Sequence, residues 1–376
     1  ALGVFNGTEG NKFDPTAELT REQAAKIVTY MLLGQENADK LTATAAPYAD
    51  VAKDRWSAGA IAYCTNEGIL AGSNGKFNPT GKLTGLAFAK MLLCALGYDA
   101  QIENLVGSSW AINTAKLAVN AGLTENLDGS LNAVMTREQA AQMAFNTLTA
   151  VMVDYEGGTD IKTPDGTSIK VDAKRYNVGH SVGSGYKLNG TNDQYMQFCE
   201  QYFAKLKLNG NAHNDLNRPA NEWIYKNNSV GEYAKTATIT YTANKNNDDG
   251  KKAVKSDLKN YYFGGTATGS KVSSTGNVTA ADIDSTDDVA ALTGNGRVVE
   301  IFVTDNIITD IVANDSTLAE IKKVTKDEVT FKTADVNAVE DDDDLYGFFS
   351  KLEKGDKVVV VKDDSNNVIE AYEPTK

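Results

Sequence analysis

The hexapeptide Thr20-Arg21-Glu22-Gln23-Ala24-Ala25 returns unchanged as Thr136-Arg137-Glu138-Gln139-Ala140-Ala141. A diverged copy, Thr84-Gly85-Leu86-Ala87-Phe88-Ala89, lies between them. The surroundings repeat too. Trp56 precedes the middle copy and Trp110 the last, and the pairs Gly3-Val4, Gly68-Ile69 and Gly122-Leu123 lie ahead of the three copies in turn. A turn follows each pair: Phe13-Asp14-Pro15, Phe77-Asn78-Pro79 and the degenerate Leu131-Asn132-Ala133. Units repeated this way cannot bury their apolar faces alone, so neighbouring copies must pack on one another. The repeats divide as about 1–47, 48–104 and 105–150. The first is short at its start, so the chain is expected to open inside a repeat, with an upstream segment removed or missing.

Each copy predicts a helix. Thr20 and Gln23 form a capping box, each satisfying an orphan amide. Over 21–33, Ala24, Ala25, Val28, Met31 and Leu32 share one face at the helical period. Helices are likewise predicted over 85–97 and 137–150. The stretch 56–67 places Trp56, Ala60, Ile61 and Cys64 on one face, and 110–121 turns Ala115, Ala118 and Val119 inward. Gly68 and Gly122 stand where a left-handed glycine ends a helix, with Ile69 and Leu123 for the apolar contact that accompanies it. Residues 1–150 are therefore read as mostly α.

Composition changes near Asp154. Residues 151–235 read as an α+β connector, with a helix over 193–206 (Tyr195, Phe198, Tyr202 and Phe203 as its aromatic face), a break at Asn217-Arg218-Pro219 and a strand at Trp223-Ile224-Tyr225. Residues 236–376 read as a β-rich domain, a small barrel or sandwich. Its strands are predicted at 236–242, 297–304, 307–312, 329–331, 357–361 and 368–372. Asp305-Asn306 marks a tight hairpin turn, and 244–252 a polar loop. The chain is thus multidomain.

Net charge is −13, which argues against general nucleic-acid binding. Any anionic ligand must be held by local positive charge. No apolar run approaches the ~20 residues of a membrane helix, so no membrane insertion is expected. Cysteines are few (Cys64, Cys94, Cys199), without CxxC or His-rich metal spacing. Cys64 and Cys94 read as buried thiols.

The capping box leaves Arg21 unexplained. A cation at the first helical position is disfavoured by roughly 0.3–1 kcal/mol, yet it occurs twice in identical context. Two explanations stay open: an intramolecular partner such as Asp50 or Glu67, or an anion held jointly by the guanidinium and the free amides of the helix start. Trp56 and Trp110 are core anchors or platforms for a sugar face. No catalytic set stands out. Ser181 and Ser184 beside His180 lie in a Gly-rich loop, and proximity in sequence is not how triads are recognised. Gly183-Ser184-Gly185 falls short of a nucleophile elbow. The acidic run 341–344 is a candidate for Ca²⁺ but lacks alternating ligands and a glycine. It reads as a solvated loop, as does Asp248-Asp249-Gly250.

Tyr48-Ala49-Asp50-Val51, Arg55-Trp56, Ala60-Ile61, Gly68-Ile69-Leu70-Ala71-Gly72, Gly75-Lys76-Phe77-Asn78-Pro79 and the Thr-Arg-Glu pair together resemble S-layer homology repeats. The resemblance covers about the first 150 residues. It implies a pseudo-threefold helical bundle that docks an extracellular protein onto secondary cell-wall polysaccharide, often through a pyruvylated amino sugar. Its grooves lie between repeats, and the implied glycan-binding residues are Arg21, Arg137, Asp50, Trp56, Trp110 and Gly72. Gly85 replaces the middle arginine, and Trp110 has no equivalent Asp nearby. The resemblance therefore implies one complete groove (Arg21, Asp50, Trp56), a vestigial one at Gly85, and one at Arg137 that draws on upstream chain. The stretches 199–208, 218–223 and 294–300 are similar to the region after the anchor in large clostridial S-layer-type proteins. The implied protein is secreted, non-enzymatic and free of cofactors, with wall polysaccharide and copies of itself in a lattice as partners. The alternatives are a tethered polysaccharide hydrolase or protease, whose paired acids would sit in the β-rich half, or an adhesin.

Overall fold

The three Thr-led copies each begin a helix in the computed structural model, which describes residues 2–5, 13–158, 160–162, 168–170, 172–180, 187–188, 193–214, 216–264, 272–276, 278, 280–294, 296–341, 343, 345–362 and 365–373. The helices are α1 (Arg21–Leu33), α2 (Gln35–Ala38), α3 (Ala58–Asn66), α4 (Gly85–Ala95), α5 (Trp110–Asn120) and α6 (Arg137–Thr149). Thr20 and Thr136 form full capping boxes with Gln23 and Gln139, whereas Thr84 caps alone because Ala87 occupies the reciprocal position. Gly68 (φ 69°) and Gly122 (φ 74°) end α3 and α5 in the left-handed region. There Ile69 and Leu123 donate back to Cys64 and Ala118, both at 2.9 Å, and bury their side chains.

The three copies lock to one another through the residue before each cap. The Leu19 amide donates to the Met135 carbonyl (2.8 Å), Met135 to Leu83 (2.8 Å) and Leu83 to Leu19 (3.0 Å), a closed cycle of buried residues. Each helix start then docks on the turn of the next copy. The Arg21 and Glu22 amides donate to Gly81 and Pro79, those of Gly85 and Leu86 to Ala133 and Leu131, and those of Arg137 and Glu138 to Ala17 and Pro15. The amides that an isolated helix leaves unpaired are thereby used up by protein.

Two sequence readings of the helical faces need correction. Trp56 is 57% exposed. It lies in the turn before α3 begins at Ala58, so the helical period does not carry it inward. On α5 the inward residues are Thr114, Leu117 and Ala118, while Val119 is 61% exposed. Leu117, not Val119, shares the i, i+3, i+4 stripe with Thr114 and Ala118.

After α6 come paired strands, β1 (Val153–Glu156) with β4 (Lys174–Asn177) and β2 (Asp160–Lys162) with β3 (Ser168–Lys170). Only Phe198–Tyr202 (α7) of the predicted helix over 193–206 is helical; Tyr195 instead pairs with Gly179 in a β-bridge. A three-stranded sheet follows, β5 (Leu206–His213), β6 (Pro219–Tyr225) and β7 (Asn228–Ala234). The chain divides into two compact units, Ala1–Leu208 with Ile224–Asn228, and Asn209–Trp223 with Ser229–Lys376.

Besides most of that three-stranded sheet, the second unit holds, among the described residues, two larger sheets with separate cores. The first is a mixed sheet of β8 (Ile239–Tyr241), β9 (Tyr262–Phe263), β10 (Val272–Thr275), β11 (Ala280–Ile283), β12 (Val298–Thr304) and β13 (Ile307–Asn314), in which β13 pairs in parallel with β9 and β10. Two helices, α8 (Asp248–Asp257) and α9 (Thr286–Leu292), cover it through Val254, Leu258, Val289 and Leu292. The predicted polar loop over 244–252 is thus partly the start of α8. Asn247 caps it by accepting the Gly250 amide at 2.7 Å, and Asp248 and Asp249 suit its first turn. The second sheet is antiparallel, in the order β16 (Val339–Glu340), β15 (Glu328–Phe331), β14 (Ser316–Val324), β17 (Lys357–Lys362), β18 (Val368–Tyr372), with α10 (Tyr346–Phe349) packed on its core. Asp305 (φ 51°) and Asn306 (φ 64°) make the expected turn between β12 and β13. Arg218 joins the two sheets: it binds Glu300 of β12 at 2.5 Å and Glu370 of β18 through two bonds of 2.8 and 2.7 Å. Burial alone would lower its pKa, but the bonds from Glu370 and Glu300 outweigh this and raise it.

Candidate functional site

A cleft of about 760 Å³ opens on the helical unit. Its walls are Arg21, the strip from Ile69 to Ser73, Lys82 to Thr84, the α4 residues Ala87, Lys90 and Met91, and Leu105 to Gly107 with Trp110. Arg21 comes from the first repeat, Gly72 and Lys90 from the second, and Trp110 from the third, so the cleft exists only because the copies dock.

Among the described residues no carboxylate contacts Arg21 directly. Its Nε donates to the Phe77 carbonyl at 2.8 Å and its Nη2 to Ala71 at 3.0 Å. The guanidinium lies over the Phe77 ring, 4.6 Å from its centroid, and Phe77 stacks on Tyr48. Burial pushes the Arg21 pKa down, against the opposing pull of Tyr48 and Asp50. Neutral carbonyls and a ring fix the position of the charge without cancelling it.

Asp50 acts one step back. Its two oxygens accept the amides of Phe77 (2.8 Å) and Asn78 (2.7 Å), and these bonds, the Phe77 one foremost, hold its pKa below the usual value. Asp50 therefore sets the turn whose carbonyl holds Arg21. Gly72 is dictated by packing. A Cβ there would stand 2.3 Å from the Tyr48 ring and 2.5 Å from the Lys76 carbonyl, and its amide donates to the Tyr48 hydroxyl at 2.9 Å. Lys82 and Lys90 add positive charge; Lys82 has an exposed partner in Glu18 at 3.4 Å. The result is a cationic cleft with apolar walls on a chain of net charge −13.

The structure groups the predicted residues differently from the sequence. Arg21, Gly72 and Trp110 share the cleft, and Trp56 is not among its lining residues. Arg137 is buried, with its Nε on the Phe13 carbonyl (2.8 Å) and its guanidinium 5.3 Å from the Phe13 ring centroid. Gly85 faces Leu131, whose Cα would lie 3.0 Å from an added Cβ. The contacts bear on both explanations offered for Arg21: its bonded partners are the Phe77 and Ala71 carbonyls. Neither Asp50 nor Glu67 pairs with it directly, and the amides of its helix start are already bonded.

Sequence reasoning missed Glu22. Its buried carboxylate takes two bonds from Arg55, at 2.7 and 2.8 Å, and one from Ser57 at 2.6 Å. Burial alone would raise its pKa, but the Arg55 and Ser57 bonds reverse this and lower it. The available signal was Arg55 beside Trp56, read only as a neighbour of the tryptophan. Ser181 and Ser184 lie outside the described residues, as do Asp342 and Asp344 of the acidic run.

The S-layer homology domain family matches residues 1–25 and 47–89. The chain is similar to an S-layer protein of Bacillus thuringiensis subsp. finitimus, 24% identical over 187 residues, 46% of this chain and 22% of that relative. It is similar to the surface-layer 125 kDa protein of Lysinibacillus sphaericus, 28% identical over 196 residues, 48% of this chain and 15% of the relative. Cell surface glycoprotein 1 of Acetivibrio thermocellus is 33% identical over 90 residues, 24% of this chain and 4% of the relative. The chain thus spans no more than 22% of the length of these relatives.

Proposed function

We propose that this chain, a secreted S-layer-type cell-wall protein carrying S-layer homology repeats, anchors itself by gripping an anionic wall polysaccharide in the Arg21 cleft. The observation that carries the reading is the Arg21 guanidinium, positioned by Phe77 and Ala71 carbonyls with no carboxylate among the described residues in contact with it. A carboxylate such as a pyruvyl ketal accepts from a guanidinium by charge-assisted bonds, while Trp110 offers an indole to a sugar face. The three-residue hydrogen-bond cycle at Leu19, Leu83 and Met135 supports a pseudo-threefold arrangement of the repeats. The function is structural, not enzymatic, which the names of the relatives support; self-association in a surface lattice belongs to the same reading.

The grooves are unequal. By the repeat correspondence Arg137 answers to Arg21, but Glu18 stands where Lys82 stands here, and Lys26, the counterpart of Lys90, is paired with Asp39 at 2.8 Å. Arg21→Ala should therefore weaken binding of purified wall polysaccharide by roughly 10- to 100-fold, and Arg137→Ala by less. Calorimetric titration compares them, and equal losses would contradict the assignment. Removing pyruvyl groups from the polysaccharide should remove the difference. Binding that ignores their removal would sink the ketal–arginine contact.

A further inference from the structure

We infer that His180, Asp193 and Glu200 form a binding site for a divalent transition-metal ion of the Zn²⁺ class, apart from the cleft. Their side chains are 5%, 7% and 6% exposed. The His180 Nε2 lies 3.8 Å from Asp193 Oδ2 and 3.5 Å from Glu200 Oε2, and one ligand atom from each residue lies within 4.8 Å of the others. Local structure brings the three together. Gly179 pairs with Tyr195, the His180 amide donates to Gln194, and Glu200 sits in the first turn of α7. Backbone amides fix the carboxylates: Asp193 Oδ1 accepts the Tyr195 amide at 3.2 Å, Glu200 Oε1 that of Leu188 at 2.5 Å, and Glu200 Oε2, the oxygen facing His180, that of Gln197 at 2.8 Å.

The independent observation is the imidazole. Nε2 is buried and has no hydrogen-bond partner, an arrangement that is ordinarily unfavourable. Its distances to the two carboxylates exceed those of a hydrogen bond. They match two ligands on one ion instead: bonds of 2.0–2.2 Å at a tetrahedral angle separate ligand atoms by about 3.4 Å. One nitrogen and two carboxylate oxygens, with a fourth position left for water, suit Zn²⁺ and its neighbours. Ca²⁺ requires six to eight oxygens, more than this set supplies. An ion here would staple the 179–180 and 193–200 segments together, next to where Gln197 pairs with Val151.

The test uses the full 376-residue chain, stripped with chelator and dialysed against Zn²⁺, with metal counted by mass spectrometry. One equivalent per chain is expected, together with a higher melting temperature. His180→Gln should weaken uptake by at least the roughly 10- to 100-fold seen for loss of an outer-shell partner. Failure to take up stoichiometric Zn²⁺, or uptake unchanged in His180→Gln, would overturn the site. A second measurement needs no variant. The chain has only His180 and His213, so imidazole ¹⁵N spectra are readily assigned. Zn²⁺ should shift the His180 nitrogens and leave those of His213. A His180 ring that is unmoved by Zn²⁺, doubly protonated between its carboxylates, would show an ion pair in place of a metal site.

Discussion

The helix starts at Arg21 and at Gly85 dock on the next repeat in the same way but carry different side chains. At both, two amides of the first turn donate to carbonyls of the following turn. At Arg21 the side chain then lies over Phe77 and reaches two more carbonyls. At Gly85 the turn offers Leu131, so close that a Cβ would crowd its backbone. Docking is therefore a property of the backbone and survives loss of the arginine. The arginine is an addition, present at two of three junctions, and that separates the part of the motif that docks the repeats from a side chain that docking does not require.

The largest effect should come from the other charged residue of the motif, which also differs between copies. Glu22 is buried against Arg55 and Ser57, while Glu138 is exposed. Glu22→Ala takes the acceptor from the buried Ser57 hydroxyl and the partner from the part-exposed Arg55, and should cost about 1–3 kcal/mol. Glu138→Ala should stay within about 0.5 kcal/mol. Urea denaturation followed by circular dichroism compares them, and similar losses would remove the distinction. The pH dependence has a definite sign. The folded pKa of Glu22 lies below its ordinary value, so its stabilisation is present above the ordinary carboxylate range and is lost as pH falls through the folded value. Glu22→Gln should flatten this acid limb.

Gly85→Ala comes next, because two local rules disagree there. Helix propensity favours alanine by about 1 kcal/mol. Contact with Leu131, at 3.0 Å from its Cα, should cost roughly 1–3 kcal/mol. A net loss is expected, measured as a lower denaturation midpoint. A gain would mean that the turn can retreat and that the junction tolerates side chains.

These contrasts explain what the sequence could reveal. The three helices, their caps and the Gly68 and Gly122 ends were legible because they rest on local chemistry, a hydroxyl or a glycine within a few residues of its partner. The Asp305-Asn306 turn was legible for the same reason. Trp56 was misplaced because its helix starts two residues later, and α8 was missed because Asn247, Asp248 and Asp249 look alike in a cap and in a loop. Strand β14 went unread too, since Ser316–Val324 mixes polar and apolar residues without clean alternation. The cleft was only half legible. Arg21 and Trp110 stood out singly, but their meeting depends on which repeat docks on which. The Arg218–Glu300–Glu370 set was invisible because it joins residues distant in sequence, and the His180–Asp193–Glu200 set because its meeting depends on the pairing of Gly179 with Tyr195.

The smallest expected effect isolates the cap from the cation. Thr20 has its reciprocal partner Gln23, with the Thr20 amide on Gln23 Oε1 at 2.9 Å, whereas Thr84 accepts the Ala87 amide at 3.3 Å and receives nothing in return. Thr20→Ala should cost about 1 kcal/mol, and Thr84→Ala a few tenths less. Because Thr20 does not line the cleft and Arg21 is held by carbonyls of the next repeat, Thr20→Ala should leave polysaccharide affinity unchanged. Titration of Thr20→Ala beside Arg21→Ala reads this directly. If removing the cap hydroxyl weakens binding as much as removing the guanidinium, the arginine owes its position to the helix start and not to Phe77 and Ala71. The two jobs of the motif would then be one.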